Sequence, residues 1–251
     1  DNLVTISDTA AHLLDPSNQA GIAIADTLIL SANATVSAAN ATTLLGNALF
    51  NAAGHQISVQ DTASALLGLS TDTKLMATIL QLSADATVTV SDLKALAGLG
   101  IKFSVNGHSI AVADTAAHLA TLHDLELAWA SVERLSSNAV VSAATAETLV
   151  ALPNFVLGQG ITLTVEDNLT HLLELSNAVR AIASTEQLMT GSNVTMTAGE
   201  AAALTGLPQF NAANAQITVR DTIAHLNAPQ NAGWHGIASV HPLRGPELRA
   251  L

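Results

Sequence analysis

The sequence predicts an α/β fold: a repeat solenoid of β-α-β-α units with a parallel sheet on one side and helices on the other. Three markers sharing one period carry that expectation. The line "VTISDTAAHLL" from Val4 returns from Ile57, Ile110, Leu163 and Ile217, placing Asp8, Asp61, Asp114, Asp167 and Asp221 at intervals of 53, 53, 53 and 54. The four phenylalanines of the chain, Phe50, Phe103, Phe155 and Phe210, lie 53, 52 and 55 residues apart. A second line recurs between them, from Ser31 ("SANATVSAANATTLL"), Ser83, Ser136 and Gly191. A period of this size is the mark of stacked arrays, in which each unit buries its apolar face only against its neighbours.

Each unit divides into two β-α halves of about 26 residues, a length in the range of leucine-rich-repeat coils. In the first half, Ile57-Ser58-Val59-Gln60 alternates as a strand with Ile57 and Val59 inward. Asp61 follows at once, before the apolar pattern that reaches Leu66 and Leu67, so the five repeat aspartates are expected as helix N-caps. In the second half, Thr87-Val88-Thr89 reads as the strand and Ser91 as the cap, and Thr197 with Glu200 forms a capping box in the fourth copy. Gly54, Gly107, Gly160 and Asn214 mark turns that need positive φ. Strands alternating with helices imply parallel pairing with right-handed crossovers, and the evenly spaced phenylalanines are expected to stack as a core ladder. Residues 1–227 are therefore assigned to about four repeats. Residues 228–251, with three of the six prolines and no repeat line, are assigned to a tail that caps, links or docks.

Composition agrees with stacked layers. Apolar residues make up 49% of the 251, yet only four Phe and two Trp are aromatic, so the core is built from Ala, Val, Leu and Ile. With 20 acidic and 8 basic residues, two of the latter being Arg244 and Arg249, nucleic acid is not an expected partner. There is no cysteine, which excludes disulfides, thiolate catalysis and Cys-based metal sites. No apolar run approaches the ~20 residues that span a bilayer. The first residue is Asp1 rather than Met, from which a processed or excised piece is expected.

The line I-x-V-x-D-T-A-x-x-L, preceded by a Phe-turn-Gly stretch and followed by a T-V-T/S-A line, resembles alanine-rich tandem repeats of large secreted bacterial adhesin-like or matrix proteins. The resemblance covers residues 3 to 227. It implies a surface-associated structural or adhesive role; cell-surface glycan is a separate partner expectation. The calcium-binding Gly/Asp-rich nonapeptide that accompanies many such proteins is not present.

Chemistry has few candidates. His12, His118, His171 and His225 each stand four residues after the repeat Asp, and the second copy has Ala65 there. His118 and His171 are the candidate metal ligands of that row, against a structural role beside the cap. No second ligand follows within the repeat, whereas zinc needs three or four converging groups, so no metal and no cofactor are assigned. His118, His123 and Asp124 form a tight cluster, but positions 118 and 123 are ~140° apart on a helix. His55 and His108 are expected exposed in turns, and His235 and His241 lie in the tail. Asn33, Asn40, Asn168 and Asn193 sit in glycosylation sequons but read as turn or cap residues. Neither a G-x-S-x-G elbow nor a phosphate-binding glycine loop is present. The Glu166-Asp167 pair is explained by the repeat cap, and no carboxylate pair stands out as a glycosidase pair would. The outward Thr positions vary too much for a flat ice-binding array. The expected function is non-enzymatic: a repeat protein that self-assembles head-to-tail, with a homo-oligomer or filament as its partner state and no transmembrane segment. The alternative is a module binding metal, heme or glycan through the His row or the tail. The uncovered strand edge at Val4 to Ser7 is where a neighbour is expected.

Overall fold

A computed structural model describes residues 3–234 and 238–242. It is α/β, with repeated β-α units and several short parallel sheets. The chain divides into two compact units, Asp1–Ala113 with Leu122–Glu133, and Asp114–Thr121 with Arg134–Leu251.

One period in the first unit shows how sequence becomes structure. Strand Ile57–Asp61 buries Ile57 and Val59 and leaves Ser58 and Gln60 half-exposed, the alternation its pattern demands. Helix Ala63–Leu67 starts at Thr62, whose hydroxyl accepts the Ala65 N–H, and helix Thr71–Met76 starts at Ser70, whose hydroxyl accepts the Thr73 N–H. Strands Ile79–Leu82 and Ala86–Val88 follow, then helix Val90–Ala97 and the two-residue strand Phe103–Ser104. Leu66, Leu80, Leu82, Leu93 and Leu96 are fully enclosed, each worth about 1.5–3 kcal/mol of transfer free energy.

The period is thus richer than β-α-β-α: it holds four strands, three α-helices and the 3-10 helix Gly100–Lys102. The single long sheet of the sequence reading is replaced by short ones. Ile79–Leu82 pairs in parallel with Ile57–Asp61, but Ala86–Val88, three residues further on, pairs with Ile110–Asp114. The Ser83-Ala84-Asp85 corner therefore moves the chain from one sheet to the next. In the first unit the orders are Thr5–Asp8, Thr27–Leu30, Phe50–Asn51 and, separately, Ala34–Val36, Ile57–Asp61, Ile79–Leu82, Phe103–Ser104. In the second unit they are Ala139–Val141, Leu163–Asp167, Thr185–Leu188, Phe210–Asn211 and Asn193–Met196, Gln216–Asp221, Ala238–Pro242. The core of the second unit gathers Val165, Leu172, Val179, Leu188, Leu204 and Val219.

The phenylalanines occupy one position in every copy, the start of a two-residue strand. Phe50 and Phe103 end different sheets, and the residues beside Phe50, Phe103 and Phe210 in register are Leu28, Leu80 and Glu186. Phe103 alone of the four is buried, against Trp129 with ring centroids 5.2 Å apart. The turn positions adopt positive φ: Gly54 at 83°, Gly107 at 81°, Gly160 at 72° and Asn214 at 62°.

The described part of the tail joins the second unit. Pro229–Trp234 forms a 3-10 helix, and Ala238–Pro242 adds a parallel strand to Gln216–Asp221. His235, Arg244 and Arg249 lie outside the described residues, and of the His241 side chain nothing is described.

Candidate functional site

The repeated aspartate stands one residue before the cap. The helix N-caps are Thr9, Thr62, Thr115, Asn168 and Thr222, whose side-chain oxygens accept the N–H three residues on. Asp8, Asp61, Asp114, Asp167 and Asp221 instead close the preceding strand. One carboxylate oxygen of each accepts the N–H of that cap residue at 2.7–2.8 Å. In three of them the other oxygen reaches a different helix: Asp61 accepts the Ala38 N–H at 2.9 Å, Asp167 that of Ala143 at 2.9 Å, and Asp221 that of Ala198 at 3.1 Å. Those alanines are the first residues of helices Ala38–Leu45, Ala143–Val150 and Ala198–Thr205. A single carboxylate so serves two helix starts, where N–H groups are otherwise orphaned and the dipole favours negative charge. In the other half of the unit, Thr89, not Ser91, is the cap, with Asp92 completing a capping box, and Thr197 with Glu200 forms the expected one.

The histidine row belongs to this same device. His12, His118, His171 and His225 each place Nδ1 2.8 Å from the Oδ1 of Asp8, Asp114, Asp167 and Asp221. The rings are more than half exposed, from 55% to 67%. Asp8 sits below the usual carboxylate range through the Thr9 N–H and then the His12 ring. For Asp167 and Asp221 burial pushes upward, but the two backbone N–H groups and the imidazole outweigh it, so both also lie below that range. At Asp61, where Ala65 replaces the histidine, the bond to Ala38 persists. The carboxylate is therefore the structural partner and the imidazole an addition to it.

Among the described residues no group of three or more His, Cys, Asp or Glu is placed to hold a metal ion. His118 and His171 are each engaged with their own aspartate. His123 precedes helix Asp124–Leu127 and its N–H is accepted by Glu126 at 3.2 Å. His55 and His108 are half-buried rather than exposed, and His108 Nδ1 stands 3.7 Å from Asp85. Asn33 and Asn168 bind backbone as expected, whereas Asn40 lies within a helix and Asn193 opens a strand.

Two further groups of polar residues, of which the sequence reading had only Asn33, support the framework. Asn33, Asp85 and Asn138 hold equivalent corners and accept the N–H of Gln56, Ser109 and Thr162, the residues leading into later strands, at 2.8–3.0 Å. Basic side chains close helix C-termini: Lys102 donates to the carbonyls of Lys74, Leu75 and Ala77, and Arg180 to those of Leu172, Leu173 and Leu175. The surface carries recurring shallow grooves at equivalent places. One of about 720 Å³ lies beside Thr9, Asn33 and Ser37, one of about 470 Å³ beside Thr115, Asn138 and Ser142, and one of about 690 Å³ beside Asn168, His171 and Glu200. No helix among the described residues is long and apolar enough to cross a membrane.

No family model matches the chain, and no curated protein or solved structure matches it.

Proposed function

We propose that the chain is a non-enzymatic structural repeat protein of the extracellular space or cell surface, an α/β solenoid with its sheets along one side and its helices along the other. The observation that carries this reading is the shared aspartate. The polar residues that recur most faithfully, Asp and the cap beside it, are spent on joining one helix start to another. The His row, the one repeated group with independent chemistry, is tied to the same carboxylates. A surface of spacing and adhesion, with cell-surface glycan as a ligand class, follows from repeated layers rather than from a single pocket.

Self-assembly is part of the proposal. Thr5–Asp8 ends its sheet and pairs only with Thr27–Leu30, and Ala238–Pro242 ends another and pairs only with Gln216–Asp221, among the described residues. An open strand edge is a template for another chain. Beside the first edge Leu3 is 81% exposed. Pairing of one copy's Thr5–Asp8 with another's Ala238–Pro242 is head-to-tail and continues into an open filament. Val4 and Asp8 turn their backbone groups toward Thr27–Leu30, so Ser7 turns its N–H to the open side, and replacing Ser7 by Pro removes a donor at that edge. Concentration-dependent growth in light scattering that the Ser7→Pro variant abolishes supports this assembly; identical behaviour of the two chains contradicts it.

A ligand-binding module is the second reading, favoured by the groove that places His171 near Asn168 and Glu200. Saturable zinc binding in calorimetry, lost in the joint His118→Ala/His171→Ala variant, would establish it.

A further inference from the structure

One side chain contradicts its surroundings. Strand Thr185–Leu188 alternates half-buried and buried residues, and the first buried position is Glu186, 1% exposed. Neither carboxyl oxygen has a hydrogen-bond partner. The same position is Leu28 and Leu80 in the first two copies, likewise enclosed, and Glu133 in the third, also buried. Register establishes the equivalence: Leu28 lies between Ile6 and Phe50, Leu80 between Val59 and Phe103, and Glu186 between Val165 and Phe210. A carboxyl thus fills an aliphatic site, and a buried ionised carboxylate without partners is far costlier than a neutral one.

We propose that Glu186 is a proton-operated weak point of the second unit: the strand is secured while its carboxyl is protonated and loosened when it ionises. The ionisable neighbours do not supply a counter-bond. On strand Leu163–Asp167, Glu166 accepts from Gln187 and Thr190, and Asp167 is engaged by His171, Asn168 and Ala143. On helix Leu169–Leu173, His171 is paired with Asp167. On helix Asn177–Ile182, Arg180 lends attraction at a distance while its N–H groups serve the carbonyls of Leu172, Leu173 and Leu175. Strand Phe210–Asn211 brings no ionisable group. Burial accordingly lifts the Glu186 carboxyl above its ordinary value of 4.5, with Arg180 pulling the other way. The sign follows: a raised folded-state value favours folding fully below the unfolded value and loses that contribution as pH rises through the folded one.

Hydrogen exchange of the full chain from about pH 5 to about pH 9, corrected for intrinsic exchange, reads this directly. In the native sequence, protection of strands Thr185–Leu188 and Phe210–Asn211 falls with rising pH by up to about tenfold per unit. In Glu186→Gln and Glu186→Leu that slope disappears. Strands Ile79–Leu82 and Phe103–Ser104, which have Leu80 at this place, show no such slope in any of the three. Glu186→Gln preserves the shape if the leucine variant packs poorly. An infrared band of a protonated carboxylic acid in the difference between the native chain and Glu186→Gln at mildly acidic pH is the second expected result. Parallel profiles for the native chain and Glu186→Gln, or the absence of that band, overturn the proposal.

Discussion

Replacing Asp167 by Ala tests the claim that one carboxylate holds two helix starts. The side chain is 13% exposed and accepts three bonds: from the Asn168 N–H at 2.8 Å, the Ala143 N–H at 2.9 Å and His171 Nδ1 at 2.8 Å. A bond to a charged group contributes about 1.5–3 kcal/mol, and an N–H left without a partner near a helix start costs desolvation besides. Water reaches part of this site, so the two backbone bonds together set a loss of about 2–4 kcal/mol. The imidazole pair, with a ring more than half exposed, adds less than about 1 kcal/mol. His171→Ala is therefore expected to cost less than about 1 kcal/mol, as the histidine-free copy at Asp61 and Ala65 suggests. Asp167→Asn keeps one acceptor and falls between the two. Urea denaturation followed by far-ultraviolet circular dichroism measures all three, with unchanged slope as the check that only stability has moved. A loss of under about 0.5 kcal/mol for Asp167→Ala, or an equal loss for His171→Ala, refutes the reasoning.

Other expectations follow from the same geometry. Because Asp167 and Asp221 lie below the usual carboxylate range when folded, the stability they contribute is present above the unfolded value and is lost as pH falls through the folded one. The acid limb of a stability profile should therefore flatten in Asp221→Asn. Gly107 has φ of 81° and open space where a Cβ would stand, so Gly107→Ala costs only backbone strain, about 1–2 kcal/mol in thermal denaturation. At Gly158 a Cβ would meet Ile161 Cγ1 at 2.9 Å and the Leu135 carbonyl at 3.0 Å, so Gly158→Ala should lower the midpoint further by steric displacement. Lys102→Met leaves the carbonyls of Lys74, Leu75 and Ala77 without their donor and should cost about 1 kcal/mol by urea titration.

The class of fold and the places of its turns were legible because they depend on local rules. Alternation fixed Ile57 and Val59 inward, and Gly54, Gly107, Gly160 and Asn214 answered to positive φ. What sequence spacing did not convey was which strands meet. Ser83, Ala84 and Asp85 look like an ordinary turn, and only the register shows that they pass the chain between sheets. For the same reason the even phenylalanine spacing suggested stacking, although Phe50 and Phe103 end separate sheets. The cap assignment moved by one residue because Asp and Thr both make good caps, and tertiary bonds to Ala38, Ala143 and Ala198 decide which residue does which work. Glu133 and Glu186 were visible as acids in place of Leu80, had the copies been set one upon another; both are buried.

Electron microscopy of the purified chain over a wide concentration range, beside sedimentation velocity, tests the central claim most directly. The expected result is filaments one chain wide whose length grows with concentration, and their loss in Ser7→Pro. Monodisperse single chains at every concentration would contradict it.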